Sequence, residues 1–100
     1  ELPKNILLGY LGNLTLQGAM LVGHTTLEIN KELTLAIEFH ETPEIPATRM
    51  TIPARVAWCK HEQHSPDYNT GVEFLELTGQ NKMVIEAILE RVQFRPEPPS

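Results

Sequence analysis

Three polar or small residues interrupt an otherwise apolar stretch, GNLTLQGAML, at residues 12–21. Asn13, Thr15 and Gly18 fit the pattern Asp/Asn-x-Ser/Thr-x-x-Gly, between the end of one apolar segment and the start of the next. An amide and a hydroxyl each donate and accept hydrogen bonds, and glycine lets another group approach the backbone closely. The same residue types also form turns in which side chains bond nearby backbone groups. The residues alone therefore leave a ligand contact and a turn motif as alternatives.

A second group of residues carries side chains that bind metal ions. Cys59, His61, His64 and Asp67 lie within a short span, and Cys59 and His61 would share one face of a strand. A structural zinc site needs a further Cys or His pair, which the chain does not supply. The cluster is more typical of an exposed hairpin end, and no metal site is expected.

Residues suited to catalysis are scarce. The two serines, Ser65 and Ser100, lie outside the strand-turn-helix setting of a serine nucleophile. No glycine-rich phosphate loop stands between a strand and a helix. The acidic residues are expected on solvated strand and helix faces. The sequence predicts a binding or interaction domain and no enzyme.

Composition excludes several classes of partner. The chain has 100 residues and a net charge of −5, which suits one domain and argues against DNA, RNA or anionic membrane surfaces as partners. Its single cysteine cannot form an intramolecular disulfide, so a cytoplasmic location is expected. No apolar run approaches the ~20 residues of a membrane span, so membrane insertion is not expected.

The apolar patterning predicts five strands followed by one helix. The strands are expected at residues 5–14, 19–22, 32–40, 50–60 and 70–77. Thr78 is the predicted N-cap of the helix, whose apolar residues recur at helical spacing: Val84, Ile85, Ile88, Leu89 and Val92. We expect the helix to pack on a small antiparallel barrel, against residues such as Trp58 and Phe74. Trp58 is expected to share the inward face of its strand with three residues, Ile52, Ala54 and Val56.

The order of these segments is more specific than any one motif. LLGYLGNLTLQGAMLV is followed by LTLAIEF, ARVAWCK, DYNTGVEFLEL and the amphipathic helix. Tyr68, Gly71 and Phe74 follow the tryptophan strand with the spacing Tyr-x-x-Gly-x-x-Phe. Over residues 6 to 93 this succession resembles the PilZ domain family, bacterial receptors for cyclic di-GMP.

The resemblance implies a fold and a ligand. PilZ domains are six-stranded antiparallel barrels that bind cyclic di-GMP on the outer barrel surface. Asn13, Thr15 and Gly18 match the family's binding motif, which implies that Asn13 and Thr15 hydrogen-bond a guanine edge and nearby ligand groups. Gly18 would leave room for close approach of the ligand. No cofactor is expected beyond this ligand.

The chain also departs from the family pattern. PilZ receptors carry an Arg-x-x-x-Arg motif before their first strand, whereas Lys4 is the only cation before Asn13 here. Arg91 and Arg95 have the right spacing but lie at the other end of the chain. We therefore expect a PilZ-like domain over residues 1–94, with the arginine segment and first strand upstream of Glu1, and a disordered tail over residues 95–100. If Glu1 is instead the true start, a sheet edge is left uncovered, and we expect a second chain to cover it in a homodimer or a strand exchange.

Two functions remain open at this stage. The first is a bacterial signalling module that binds cyclic di-GMP and passes the signal to an unknown protein partner. The alternative is a degenerate PilZ domain that binds no nucleotide and acts through protein contacts.

Overall fold

The computed structural model describes residues 8–43 and 45–92. It contains five strands and one helix in the predicted order. The elements are β1 Tyr10–Leu14, β2 Gly18–Gly23, β3 Glu32–Phe39, β4 Thr48–His61, β5 Tyr68–Phe74 and α1 Gly79–Arg91. The first predicted strand began at residue 5, and residues 5–7 lie outside the described part of the chain.

The strands form one antiparallel sheet in the order β1-β2-β5-β4-β3. The sheet curls into a half-barrel, and α1 follows it, which confirms the predicted fold class. β4 and β5 lie inside the sheet, and β1 and β3 are the outer strands of the described sheet. The predicted homodimer is not tested by this single chain. The predicted tail at residues 95–100 lies outside the described residues.

Alternation along the strands places one face of the sheet in the core. On β4 the buried residues are Met50, Ile52, Ala54 and Val56, each separated by an exposed or half-buried residue. Leu35 and Ile37 on β3 are paired with Ile52 and Met50 across the ladder and are also buried. Cross-strand neighbours share a face, so these apolar pairs form a continuous inner surface.

Helix α1 completes the core. The Thr78 hydroxyl accepts a hydrogen bond from Asn81 N at 3.0 Å, which confirms the predicted N-cap. The Asn81 side-chain amide donates to Thr51 O on β4 at 3.2 Å and ties the first turn to the sheet. Ile85 and Ile88 are buried in the core cluster, so the packing of the helix on the sheet is confirmed.

The buried stripe of α1 is narrower than its sequence indicates. Val84 and Val92 are half-buried at its margin, and Leu89 is exposed. Phe74 packs against the same cluster, as expected. No described helix has the length and apolar character needed to cross a membrane.

The predicted inward position of Trp58 is wrong. The register between β4 and β5 shifts between Val56 and Trp58, because Val56 is opposite Val72 while Trp58 is opposite Gly71. This bulge inserts Ala57 and ends the simple alternation that begins at Met50. Trp58 therefore lies on the outer face of the sheet, away from the core cluster to which Val56 belongs.

Candidate functional site

One row of residues crosses four strands on the outer face of the sheet. Asn13 on β1 is opposite Met20 on β2, Met20 is opposite Gly71 on β5, and Gly71 is opposite Trp58 on β4. The next row is Leu14, Ala19, Val72 and Val56, all four of which are buried in the core. Successive strand residues face opposite sides, so the row from Asn13 to Trp58 faces outward.

Both ends of this row stand beside a β-bulge. In β1 the register shifts between Leu11 and Asn13, and in β4 it shifts between Val56 and Trp58. The β1 bulge accommodates the extra Gly12 and lets both Leu11 and Leu14 lie opposite inward-facing residues of β2. Bulges re-aim side chains and are frequent beside binding sites. Here they place an amide and an indole on the same outer surface.

The outer row borders a shallow groove, which we call the outer groove. Its volume is ≈ 250 Å³, and it is lined by Asn13, Thr15, Gln17, Gly18, Ala19, Met20, Ala57, Trp58, Gly71, Val72 and Glu73. Sites for drug-sized ligands usually span about 300–1,000 Å³. The outer groove is smaller than these sites and can hold only part of a drug-sized ligand.

All three residues predicted as ligand-binding line the outer groove. The Asn13 side chain is half-buried, and its Oδ1 accepts a hydrogen bond from Leu14 N at 2.9 Å. Among the described residues, no group accepts a hydrogen bond from the Asn13 amide nitrogen. Asn13 therefore offers the groove a hydrogen-bond donor.

Thr15 closes the turn between β1 and β2. Its Oγ1 accepts hydrogen bonds from Gln17 N at 3.1 Å and Gly18 N at 3.2 Å, and donates to Gly18 O at 3.3 Å. The Thr15 backbone N–H also donates to Gly18 O at 2.9 Å. The turn-motif alternative thus describes the contacts of Thr15 and the bond of Asn13 Oδ1 to Leu14 N, and the Thr15 bonds fix the segment that carries Asn13.

Gly18 has a structural reason to be glycine. It lies opposite Glu73 in the ladder between β2 and β5, and a Cβ at Gly18 would overlap the carbonyl oxygen of Val72. The absence of a side chain thus lets β2 and β5 pair closely at the edge of the groove. Room for a ligand at Gly18 stays a prediction.

The indole of Trp58 lies over the backbone of Gly71. A Cβ at Gly71 would overlap three ring atoms of Trp58, Nε1, Cε2 and Cζ2. Gly71 is buried beneath the ring, while Trp58 itself remains half-buried. The indole therefore forms a flat apolar wall of the outer groove, and it lies over β5, two strand spacings or about 10 Å from the β1 strand that carries Asn13.

An ion pair lies at the β4–β5 side of the outer groove. Glu73 lies opposite both Gly18 and Arg55, and the Arg55 Nη2 contacts the Glu73 Oε1. Both side chains are partly exposed, at 42% for Arg55 and 46% for Glu73. The pair places a carboxylate on the groove lining and a guanidinium beside it.

Three of the four residues considered as metal ligands, Cys59, His61 and Asp67, contact other side chains. The Thr70 hydroxyl donates to Cys59 Sγ at 3.3 Å, Asp67 Oδ1 is 2.9 Å from His24 Nε2, and the His61 ring packs on Tyr68 with ring centroids 4.9 Å apart. Within residues 8–43 and 45–92, no group of three or more His, Cys, Asp or Glu side chains is placed to hold a metal ion.

Comparison with known proteins identifies the family. The family model described as "PilZ domain" matches residues 1–91, nearly the whole chain. The chain belongs to the PilZ domain family. No curated protein and no solved structure matches it significantly. This PilZ domain carries the polar triplet at the rim of its outer groove, where the turn between β1 and β2 meets β5.

Sequence reasoning did not assign Trp58, Gly71 or Glu73 to the outer groove. Trp58 was expected in the core, and Glu73 was treated as one of many solvated acidic residues. Gly71, whose backbone supports the indole, was recognised only as part of a spacing motif. The pairing of Trp58 with Gly71 becomes visible only when β4 and β5 are set in register.

Proposed function

We propose that this PilZ domain is a signalling module that binds cyclic di-GMP in the outer groove. Family membership and the position of Asn13 support this function. The single observation that carries the proposal is that the Asn13 amide and the Trp58 indole face the same groove from the two ends of one residue row. We further propose a cytoplasmic location and a protein partner that receives the signal.

The chemistry of the groove suits a purine base. The amide nitrogen of Asn13, which has no acceptor among the described residues, donates to an acceptor on the base edge, and guanine presents O6 and N7 as acceptors. The exposed surface of Trp58 offers a π-face, and stacking of a base on an aromatic side chain is worth about 1–3 kcal/mol. Thr15 holds the turn that positions Asn13 and so acts on the ligand through that residue.

Charge determines how the test must be designed. Cyclic di-GMP carries two phosphates, and the chain has a net charge of −5. Like charges repel at long range and lower both the association rate and the affinity. PilZ receptors carry two arginines before their first strand, whereas Lys4 is the only cation before Asn13 in this sequence. Binding should therefore be measured on the protein at its natural length, whatever residues precede Glu1 there.

Isothermal titration of cyclic di-GMP into three proteins tests the proposal. Wild type should bind, and Asn13→Ala should weaken binding more than tenfold, because a buried hydrogen bond to the base edge is lost. Arg91→Ala is the control, because Arg91 lies on α1, outside the residues that line the outer groove. Its affinity should equal that of wild type.

Trp58 provides a second readout of the same site. It is the only tryptophan in this sequence, so emission excited at wavelengths that tryptophan absorbs and tyrosine does not reports on the groove. Stacking of a base on the indole should quench this emission in wild type and in Arg91→Ala at the concentrations where heat is released. Absence of binding by wild type, or equal affinity of all three proteins, would instead favour a degenerate PilZ domain that acts through protein contacts.

A further inference from the structure

Glu73 occupies an unfavourable position for a site that binds a phosphate-containing ligand. It lines the outer groove and lies opposite Gly18 of the polar triplet in the sheet ladder. A carboxylate beside a ligand with two phosphates lowers affinity through repulsion, more so in a chain of net charge −5. Such a residue is compatible with binding when it contacts a part of the ligand that carries hydrogen-bond donors.

Arg55 orients the Glu73 carboxylate and offsets its charge. The guanidinium contacts Oε1 of Glu73, so it offsets the charge and fixes the orientation of the carboxylate on the outer face. The second oxygen, Oε2, is a further acceptor. An ionised carboxylate accepts hydrogen bonds and donates none, so it discriminates between donor and acceptor groups on a ligand.

Asn13 and Glu73 offer opposite chemistry to a base between them. The Asn13 amide nitrogen is a donor that meets no acceptor within the described part of the chain, and the Glu73 carboxylate is an acceptor. Their backbones are two strands and about two residues apart, roughly 12 Å, which leaves space for a planar base with a hydrogen bond on each side. Guanine carries acceptors, O6 and N7, on one edge, and donors, N1–H and the 2-amino group, on the adjacent edge. Adenine carries an acceptor at N1, where guanine has a donor.

We propose that Glu73 is the residue that selects guanine, by accepting hydrogen bonds from N1–H and the 2-amino group of a base bound in the outer groove. Arg55 is a positioning residue that holds the Glu73 carboxylate. This inference rests on the proposed function, because it concerns the same groove and the same ligand class. It adds the part of the site that distinguishes guanine from adenine nucleotides.

The experiment compares cyclic di-GMP with cyclic di-AMP. Both ligands are titrated into the natural-length wild type and into Glu73→Gln, which retains the size of the side chain but adds a donor. The readout is the ratio of the affinity for cyclic di-GMP to the affinity for cyclic di-AMP. Loss of the Glu73 charge weakens the repulsion between the protein and the phosphates equally for both ligands, so it leaves this ratio unchanged. We expect wild type to prefer cyclic di-GMP, and Glu73→Gln to bind cyclic di-GMP about 10-fold to 100-fold more weakly. Its affinity for cyclic di-AMP should be unchanged or increased.

Glu38→Gln is the matched control. Glu38 also pairs with an arginine directly opposite on the neighbouring strand, with 3.5 Å between Glu38 Oε1 and Arg49 Nη1. Both residues of that pair are partly exposed, and neither lines the outer groove. Glu38→Gln removes the same charge from a similar ion pair and should keep the wild-type preference.

Arg55 is tested by the same ratio. Arg55→Lys retains the charge beside Glu73 and should keep most of the preference for cyclic di-GMP. Arg55→Ala frees the carboxylate and should reduce that preference. A role of Arg55 in stability alone would change the melting temperature of Arg55→Ala without changing the ratio.

Each outcome supports or overturns the inference. A preference for cyclic di-GMP that persists in Glu73→Gln overturns the role of Glu73 and leaves the proposed function intact. Equal binding of the two ligands by wild type also overturns it. If wild type binds neither ligand, the proposed function fails and this inference fails with it.

Discussion

Trp58 and Gly71 form a cross-strand pair in which the glycine provides the surface on which the indole lies. The ring atoms of Trp58 occupy the space that a Cβ of Gly71 would take. Trp58 on β4 and Gly71 on β5 lie directly opposite each other, beside the bulge that turns Trp58 outward. The wall of the outer groove therefore depends on the absence of one side chain on the neighbouring strand.

Gly71→Ala should displace the indole and destabilise the protein. Forcing extra volume into a closely packed position costs typically about 1–3 kcal/mol. Because Trp58 is the only tryptophan, its emission should shift in the folded variant, and denaturant titration followed by fluorescence measures both effects.

Gly79→Ala is the control for this substitution. Gly79 begins α1, and a Cβ there would meet no atom within 4 Å. Alanine favours helix over glycine by up to about 1 kcal/mol, so this variant should be as stable as wild type or more stable. Equal unfolding midpoints for the two variants would contradict the role assigned to Gly71.

Features determined by nearby residues could be predicted from the sequence. Thr78 caps α1 because its hydroxyl reaches the backbone N–H three residues later, a contact that depends on local geometry. The strands alternate with a period of two, so the inward positions of Ile52, Ala54 and Val56 were predicted correctly. The succession of five strands and one helix along the chain followed from the same patterns.

Features that depend on pairing between distant segments could not be predicted. The bulge at Ala57 has no local marker, since alternation in ARVAWCK continues smoothly to Trp58. Arg55 and Glu73 become neighbours only through the register of β4 and β5. The sequence therefore predicted the polar triplet, and the aromatic wall and the ion pair required the structure.

Thr15→Val should lower stability, because valine has the shape of threonine without the hydroxyl. The substitution removes the acceptor for Gln17 N and Gly18 N. Each lost hydrogen bond is worth about 0.5–1.5 kcal/mol, at the lower end here because Thr15 is exposed. Thr15→Ser retains the hydroxyl and should stay within about 0.5 kcal/mol of wild type. Chemical denaturation compares the three proteins, and equal stability of Thr15→Val and wild type would show that the hydroxyl does not hold the turn.

Ile85→Ala should strongly destabilise the protein by opening a cavity between α1 and the sheet. Ile85 has 0% of its surface exposed and belongs to the core cluster. Truncating a buried isoleucine to alanine costs about 2–5 kcal/mol, whereas Ile85→Val should cost only about 0.5–1.5 kcal/mol. Met83 on the same helix is 71% exposed, so Met83→Ala should change stability by less than about 0.5 kcal/mol. Thermal and urea unfolding should show the largest loss of stability for Ile85→Ala, a smaller loss for Ile85→Val and the smallest for Met83→Ala. A small loss for Ile85→Ala, equal to that for Met83→Ala, would mean that α1 does not contribute to the core in solution.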